Sequence, residues 1–96
     1  MAFPNRYDRN KMALSPEECE ELAGKRIAVV GCGGLGGLVI EALTRIGVGH
    51  LRVIDDDVFE ESNLNRQLLC TEAALGREKA LVAAERIAAI NGEVEA

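Results

Sequence analysis

The sequence predicts an α/β fold built on a parallel sheet, of which it carries the opening half. Three observations point there. A short apolar run, Ile27-Ala28-Val29-Val30, passes straight into a glycine-rich loop; a helical repeat of apolar residues starts inside that loop; and a second apolar run, Leu51-Arg52-Val53-Ile54, ends in three aspartates. Parallel neighbours need a crossover between them, so strand, loop, helix and strand in this order imply a parallel pair.

Each element has a local cause. Residues 1–14 carry no strong period. Ser15-Pro16-Glu17-Glu18 is a helix start, with Ser15 as N-cap, Pro16 in the first turn and Glu18 placed to close a capping box; Gly24 ends that helix. The uninterrupted run at 27–30 predicts a strand covered on both faces. Leu38, Ile40 or Glu41, Ala42, Leu43 and Ile46 recur at helical spacing before Gly47-Val48-Gly49 stops the helix. The polar stretch from Glu60 to Gln67 reads as loop or irregular helix. A helix returns over 77–90, with Ala80, Leu81, Ala84, Ile87 and Ala88 expected on its buried face, and Asn91-Gly92 closes it. Glu93-Val94-Glu95-Ala96 looks like the first residues of a third strand. The expected organisation is an N-terminal helical segment, 1–24, followed by a partial domain, 25–96.

Composition narrows the function classes. Of 96 residues, 48% are apolar and 28% charged, a globular balance. Eleven basic against sixteen acidic residues leave a formal charge of −5, which argues against a broad nucleic-acid or anionic-membrane surface but allows a small basic pocket. The longest uncharged stretch, fourteen residues from Ile27 to Ile40, contains five glycines and falls short of the roughly 20 apolar residues of a membrane span. Cys19, Cys32 and Cys70 form neither a disulfide framework nor a zinc spacing, and no N-terminal signal is legible, so a reduced, cytoplasmic chain is expected.

Two clusters carry chemistry. Gly31, Gly33 and Gly36 fit G-x-G-x-x-G directly after a strand and at the start of a helix. Glycines there permit a tight turn and close backbone approach to a phosphate, which the free N–H groups of the helix N-terminus would meet. Asp55, nineteen residues after Gly36, stands at the second strand's end, where a carboxylate can hold a ribose hydroxyl. This pattern, Rossmann-like, does not choose between NAD, FAD and ATP. The second cluster does. In the polar segment that holds Ser62 and Asn63, Arg66 and, on the next helix, Lys79 supply positive charge that a dinucleotide oxidoreductase does not need and a triphosphate does. Cys32 reads as packing, His50 as a surface residue, and neither Asp56 nor Asp57 as a metal ligand.

Arg6-Tyr7-Asp8-Arg9, Gly31-Cys32-Gly33-Gly34-Leu35-Gly36, Asp55-Asp56-Asp57-Val58, Ser62-Asn63-Leu64-Asn65-Arg66-Gln67, Gly76-Arg77-Glu78-Lys79-Ala80 and Ile90-Asn91 occur in that order. As an ordered set they resemble the ubiquitin-activating-enzyme-like adenylyltransferases of the ThiF/MoeB/HesA family. The resemblance implies a Rossmann-like fold that binds ATP and activates a carboxylate as an acyl-adenylate. It implies that Gly34 contacts the nucleotide, with Gly31, Gly33 and Gly36 shaping the loop. Asp55 would hold the ribose, Asn63, Arg66 and Lys79 the phosphates with Ser62 beside them, and Arg9 would reach into the partner's site across a homodimer. The implied acceptor is the C-terminal glycine of a ubiquitin-like sulphur-carrier protein or a small carboxylate; nucleic acid enters only if that is a modified tRNA nucleoside. Members are more than twice this long, and their later residues supply a magnesium-holding aspartate, the acceptor pocket and often structural zinc. The chain is therefore expected to be an N-terminal portion, without metal ligands of its own and inactive alone. Two alternatives stand beside this reading: the NAD-binding half of an oxidoreductase, and a non-catalytic dimerisation fragment.

Overall fold

The computed structural model describes residues 5–96. A 3-10 segment, Asn5–Met12, leads into α1 (Pro16–Ala23), β1 (Arg26–Val30), α2 (Gly34–Ile46) and β2 (His50–Ile54); two single 3-10 turns, Glu61–Asn63 and Glu72–Ala74, precede α3 (Lys79–Ile90). β1 and β2 are parallel, with Arg26 opposite His50 and Val30 opposite Ile54. The tail pairs with β2 on the side away from β1: Leu51 N–H donates to the Glu95 carbonyl and Glu95 N–H to the Gly49 carbonyl, both at 2.8 Å. Where the sequence predicts a third strand, the described residues thus form one isolated parallel bridge beside a two-stranded sheet.

The caps form as the residue types dictate. Ser15 Oγ accepts from Glu18 N–H at 3.1 Å while the Glu18 carboxylate accepts from Ser15 N–H at 2.9 Å, satisfying two donors that a helix start leaves free. α2 ends at Gly47, which takes φ +99°, a left-handed conformation suited to glycine. The Tyr7 ring lies against Gly47, where a Cβ would come within 2.8 Å of it. Tyr7 Oη accepts from buried Asn91 Nδ2 at 2.7 Å, and Arg6 donates to Asn91 Oδ1, so the first and last parts of the described chain are tied together.

The core lies between the sheet and the α2–α3 layer. Ile40, Val48, Leu51, Phe59, Ala83 and Ile87 are almost wholly enclosed, and the Glu41 carboxylate bridges α2 to Arg86 of α3 at 2.8 Å. Two sequence expectations need correction. β1 is covered on one face only: Val29 is buried, whereas Ala28 and Val30, on the opposite side of the pleat, are exposed, Val30 at 78%. The reason is that α2 and α3 pack against each other and so occupy the same side of the sheet. α3 also turns a different stripe inward. Lys79, Ala83 and Ile87, four residues apart, are buried, while Leu81 and Ala88 are exposed. Small residues all round this helix let its docking, rather than its periodicity, choose the face. Likewise α2 buries Gly37, Ile40 and Thr44 and leaves Leu38 exposed. Among the described residues no helix is long and apolar enough to cross a membrane.

Candidate functional site

The predicted glycine loop is a turn locked to the strand ends. Gly31 adopts φ +95°, and its N–H donates to the Ile54 carbonyl at 2.7 Å. A Cβ on Gly36 would fall 1.7 Å from the Gly31 carbonyl oxygen, so α2 can start this close to β1 only with glycine there. Gly33 is the N-cap and offers no side chain to the first N–H groups of α2. Beside it Gly34 is exposed, with nothing within 4 Å of its Cβ position. A set of uncapped donors and an unobstructed approach is what an anion requires of a helix N-terminus.

Asp55 closes this arrangement. Its Oδ2 accepts from Cys32 N–H and its Oδ1 from Asp57 N–H, each at 2.8 Å. Partial burial opposes its ionisation, but these two N–H groups and the nearby Lys79 charge outweigh that and hold its carboxyl below the usual carboxylate range. The acid therefore stays charged at neutral pH and is fixed directly to the glycine loop.

Lys79 is buried at the start of α3; its backbone N–H donates to the Asp57 carbonyl at 3.0 Å and its ammonium stands 5.5 Å from the centre of the Phe59 ring. A cation over an aromatic face is held without a neutralising carboxylate in contact. The same charge favours the ionised form of both Asp55 and Cys32. Cys32 itself is fully enclosed. Burial, then Asp55, push its thiol up, and Lys79 only partly opposes them, so it is a packing residue as its sequence context suggests.

The polar segment is more divided. Asn63 is buried and turned to its own backbone, its Oδ1 accepting from Glu60 N–H at 2.9 Å. Ser62 is exposed, and its carbonyl accepts from Arg66 Nη1 at 2.9 Å; the same guanidinium nitrogen reaches Asn65 Oδ1 at 3.3 Å. Arg66 thus lies along its own segment. Arg9 is exposed on the 3-10 segment. The structure therefore ties Asp55 directly to the glycine loop, anchors Lys79 through the Asp57 carbonyl and the Phe59 ring, and leaves Arg66 and Arg9 at the surface. Two contributors escaped the sequence reading. Phe59 is a lone aromatic with no motif to mark it. Gln67 stands in the polar motif but had no role there; its carboxamide packs beneath Gly33, with Oε1 3.2 Å from the Cβ position. A concavity of about 410 Å³ lies elsewhere, along the strands by Arg26, Ala28, Arg52 and Glu95, and none of the predicted site residues lines it.

Asp55, Asp56 and Asp57 bring carboxylate oxygens within 4.8 Å of one another. Both oxygens of Asp55 already accept backbone N–H groups, and the other two side chains are exposed. The trio does not have the free inward-facing ligands of a resident metal site.

The chain matches the ThiF family over residues 7–96. It is 38% identical over 91 residues to a tRNA threonylcarbamoyladenosine dehydratase of Bacillus subtilis, covering 95% of this chain and 36% of that protein. It is 43% identical over 89 residues to a sulfur carrier protein adenylyltransferase of Thermus thermophilus, covering 91% and 33%. The crystal structure of E. coli tRNA N6-threonylcarbamoyladenosine dehydratase in complex with ATP superposes with a TM-score of 0.91 at 33% identity, covering 99% of this chain and 41% of that one. The chain thus spans about a third of the length of these two curated relatives.

Proposed function

The chain belongs to the ThiF family, and from that premise we propose that it is the ATP-binding portion of an adenylyltransferase. The observation that carries the reading is the tether between Asp55 and the glycine loop: the acid at the end of β2 bonds to Cys32 N–H, one residue from the N-cap of an uncapped helix, with buried Lys79 acting on both.

In this reading ATP lies across the loop. Asp55 takes a ribose hydroxyl on its remaining lone pairs. Gly34 and the first N–H groups of α2 receive phosphate oxygens, with Gly31, Gly33 and Gly36 giving the turn its shape. Lys79 contributes charge from below. Arg66, lying along residues 62–65, swings to the phosphates with Ser62 and Asn63 beside it. A carboxylate oxygen of the acceptor attacks the α-phosphorus, the bond to the bridging oxygen of the β-phosphate breaks, and pyrophosphate leaves with that electron pair. An acyl-adenylate remains. The protein acts by positioning and charge neutralisation, without a covalent intermediate. The acceptor proposed is the C-terminal carboxylate of a ubiquitin-like sulphur-carrier protein, a choice supported by the name of the sulfur carrier protein adenylyltransferase among the relatives; a small carboxylate is the other class. Magnesium accompanies a triphosphate in such chemistry. The aspartate trio does not fit as its holder, and no step is assigned to the metal or to zinc.

We further propose a homodimer. Val30, Leu35 and Leu38 expose large apolar surfaces at and behind the loop, and Arg9 is free to cross to a second copy's site. Calorimetric titration of the chain with ATP tests the central claim. Saturable binding that NAD⁺ does not displace is expected; displacement by NAD⁺ at equal concentration would turn the assignment to a dinucleotide site.

A further inference from the structure

Gln67 carries an unexplained cost. Its side chain is buried, with 8% of the residue exposed, and its Oε1 is the one buried side-chain oxygen or nitrogen without a hydrogen-bond partner among the described residues. A buried acceptor left unpaired costs about 1–3 kcal/mol. Methionine has the same unbranched reach and carries no such acceptor, so packing alone would be served better by it. The position is specific too. Oε1, the amide carbon and Nε2 lie 3.2, 3.3 and 3.4 Å from the Cβ position of Gly33, the N-cap from which the phosphate-facing turn departs.

We propose that Gln67 is a positioning residue of the nucleotide site: its Oε1 accepts a hydrogen bond from an O–H donor that arrives with the nucleotide, and its contact with Gly33 passes that bond to the turn. The inference rests on the ATP-site reading above. An amide oxygen only accepts, and so do ionised phosphate oxygens, so a bare phosphate is not its partner. A ribose hydroxyl qualifies, as does a water held on the phosphates. The position that a Cβ of Gly33 would take, 3.2 Å from Oε1, is filled by no atom, so the donor enters from the side of that turn.

The test compares the parent chain with Gln67→Met and Gln67→Leu, by thermal melt and by titration with ATP and with adenosine. Both variants are expected to melt at or above the parent temperature and to bind ATP about tenfold more weakly, equivalent to about 1.4 kcal/mol. An equal loss for adenosine identifies the ribose hydroxyl as donor; a loss confined to ATP identifies the phosphate-held water. ATP binding within twofold of the parent in both variants overturns the role of Gln67 and leaves the site reading intact. Failure of both variants to fold overturns it as well, since the carboxamide is then a requirement of the fold. If the parent itself binds no ATP, the site reading fails and takes this role with it.

Discussion

Gly34 and Gly36 stand two residues apart in one loop, and the structure predicts opposite consequences for the same substitution. An alanine at 36 puts its Cβ 1.7 Å from the Gly31 carbonyl oxygen and 2.7 Å from the carbonyl carbon. Both partners are backbone, one at the start of α2 and one at the end of β1, so no side chain can rotate away. Relief requires α2 to retreat by more than an ångström, which opens the packing of Ile40 and Thr44 on the sheet. Overpacking commonly costs about 1–3 kcal/mol, and a backbone clash of this depth belongs at or beyond the top of that range. For a chain of this size about 3 kcal/mol lowers the melting temperature by roughly 12 °C or more. An alanine at 34 meets nothing within 4 Å and keeps a helical conformation. It should leave the melt unchanged or raise it, since glycine-to-alanine at a compatible site gains about 0.4–1 kcal/mol. Its methyl group, however, stands where a phosphate would approach, and ATP affinity should fall by about tenfold or more, the equivalent of at least about 1.4 kcal/mol. Circular dichroism melts and ATP titration of both variants decide the matter. Gly36→Ala melting within about 4 °C of the parent, a shift of no more than about 1 kcal/mol, would refute the packing argument. Gly34→Ala binding ATP as tightly as the parent would refute the placement of the phosphate.

Asp55→Ala should weaken ATP and adenosine alike, whereas Lys79→Ala should weaken ATP far more than adenosine; titrations showing the same selectivity in both variants would remove the ribose assignment. Asp55 and Glu41 both have carboxyl groups held below their ordinary range, Asp55 by backbone N–H groups and Lys79 against its partial burial, Glu41 first by its hydrogen bond with Arg86. Their stabilisation is therefore complete above the unfolded carboxylate pKa of about 4 and is lost as pH falls through the lower folded values; urea midpoints that hold steady from pH 5 to pH 2 would contradict this. Asn91→Ala removes the partner of both Tyr7 and Arg6 and should lower stability by about 1–3 kcal/mol, with faster hydrogen exchange over Asn5–Met12 as the local readout. Sedimentation at tens of micromolar should give a dimer or larger species, and a monomer at every concentration would remove the proposed homodimer.

What the sequence determined is local. A capping box needs only Ser15 and Glu18 at the right separation; a turn at Gly31 and a stop at Gly47 need only glycine where φ is positive; an acid at the end of a strand follows from counting. Each of these contacts closes within a few residues or across one strand–helix–strand unit, so the residue types alone specify them, and Asp55 with the glycine loop was legible for that reason. The tertiary structure decided what depends on neighbours distant in the chain. It put both long helices on one side of the sheet and so left Val30 exposed in a run whose composition suits full burial. It rotated α3 until Lys79 rather than Leu81 faced inward, because alanine on every side gave periodicity no preference. It laid Phe59 under Lys79 and Gln67 under Gly33, contacts across twenty and thirty-four residues that no spacing rule connects. Local chemistry fixes how each segment turns and ends; which side chain meets which is settled by how those segments pack, where burial of the whole outweighs the preference of any part.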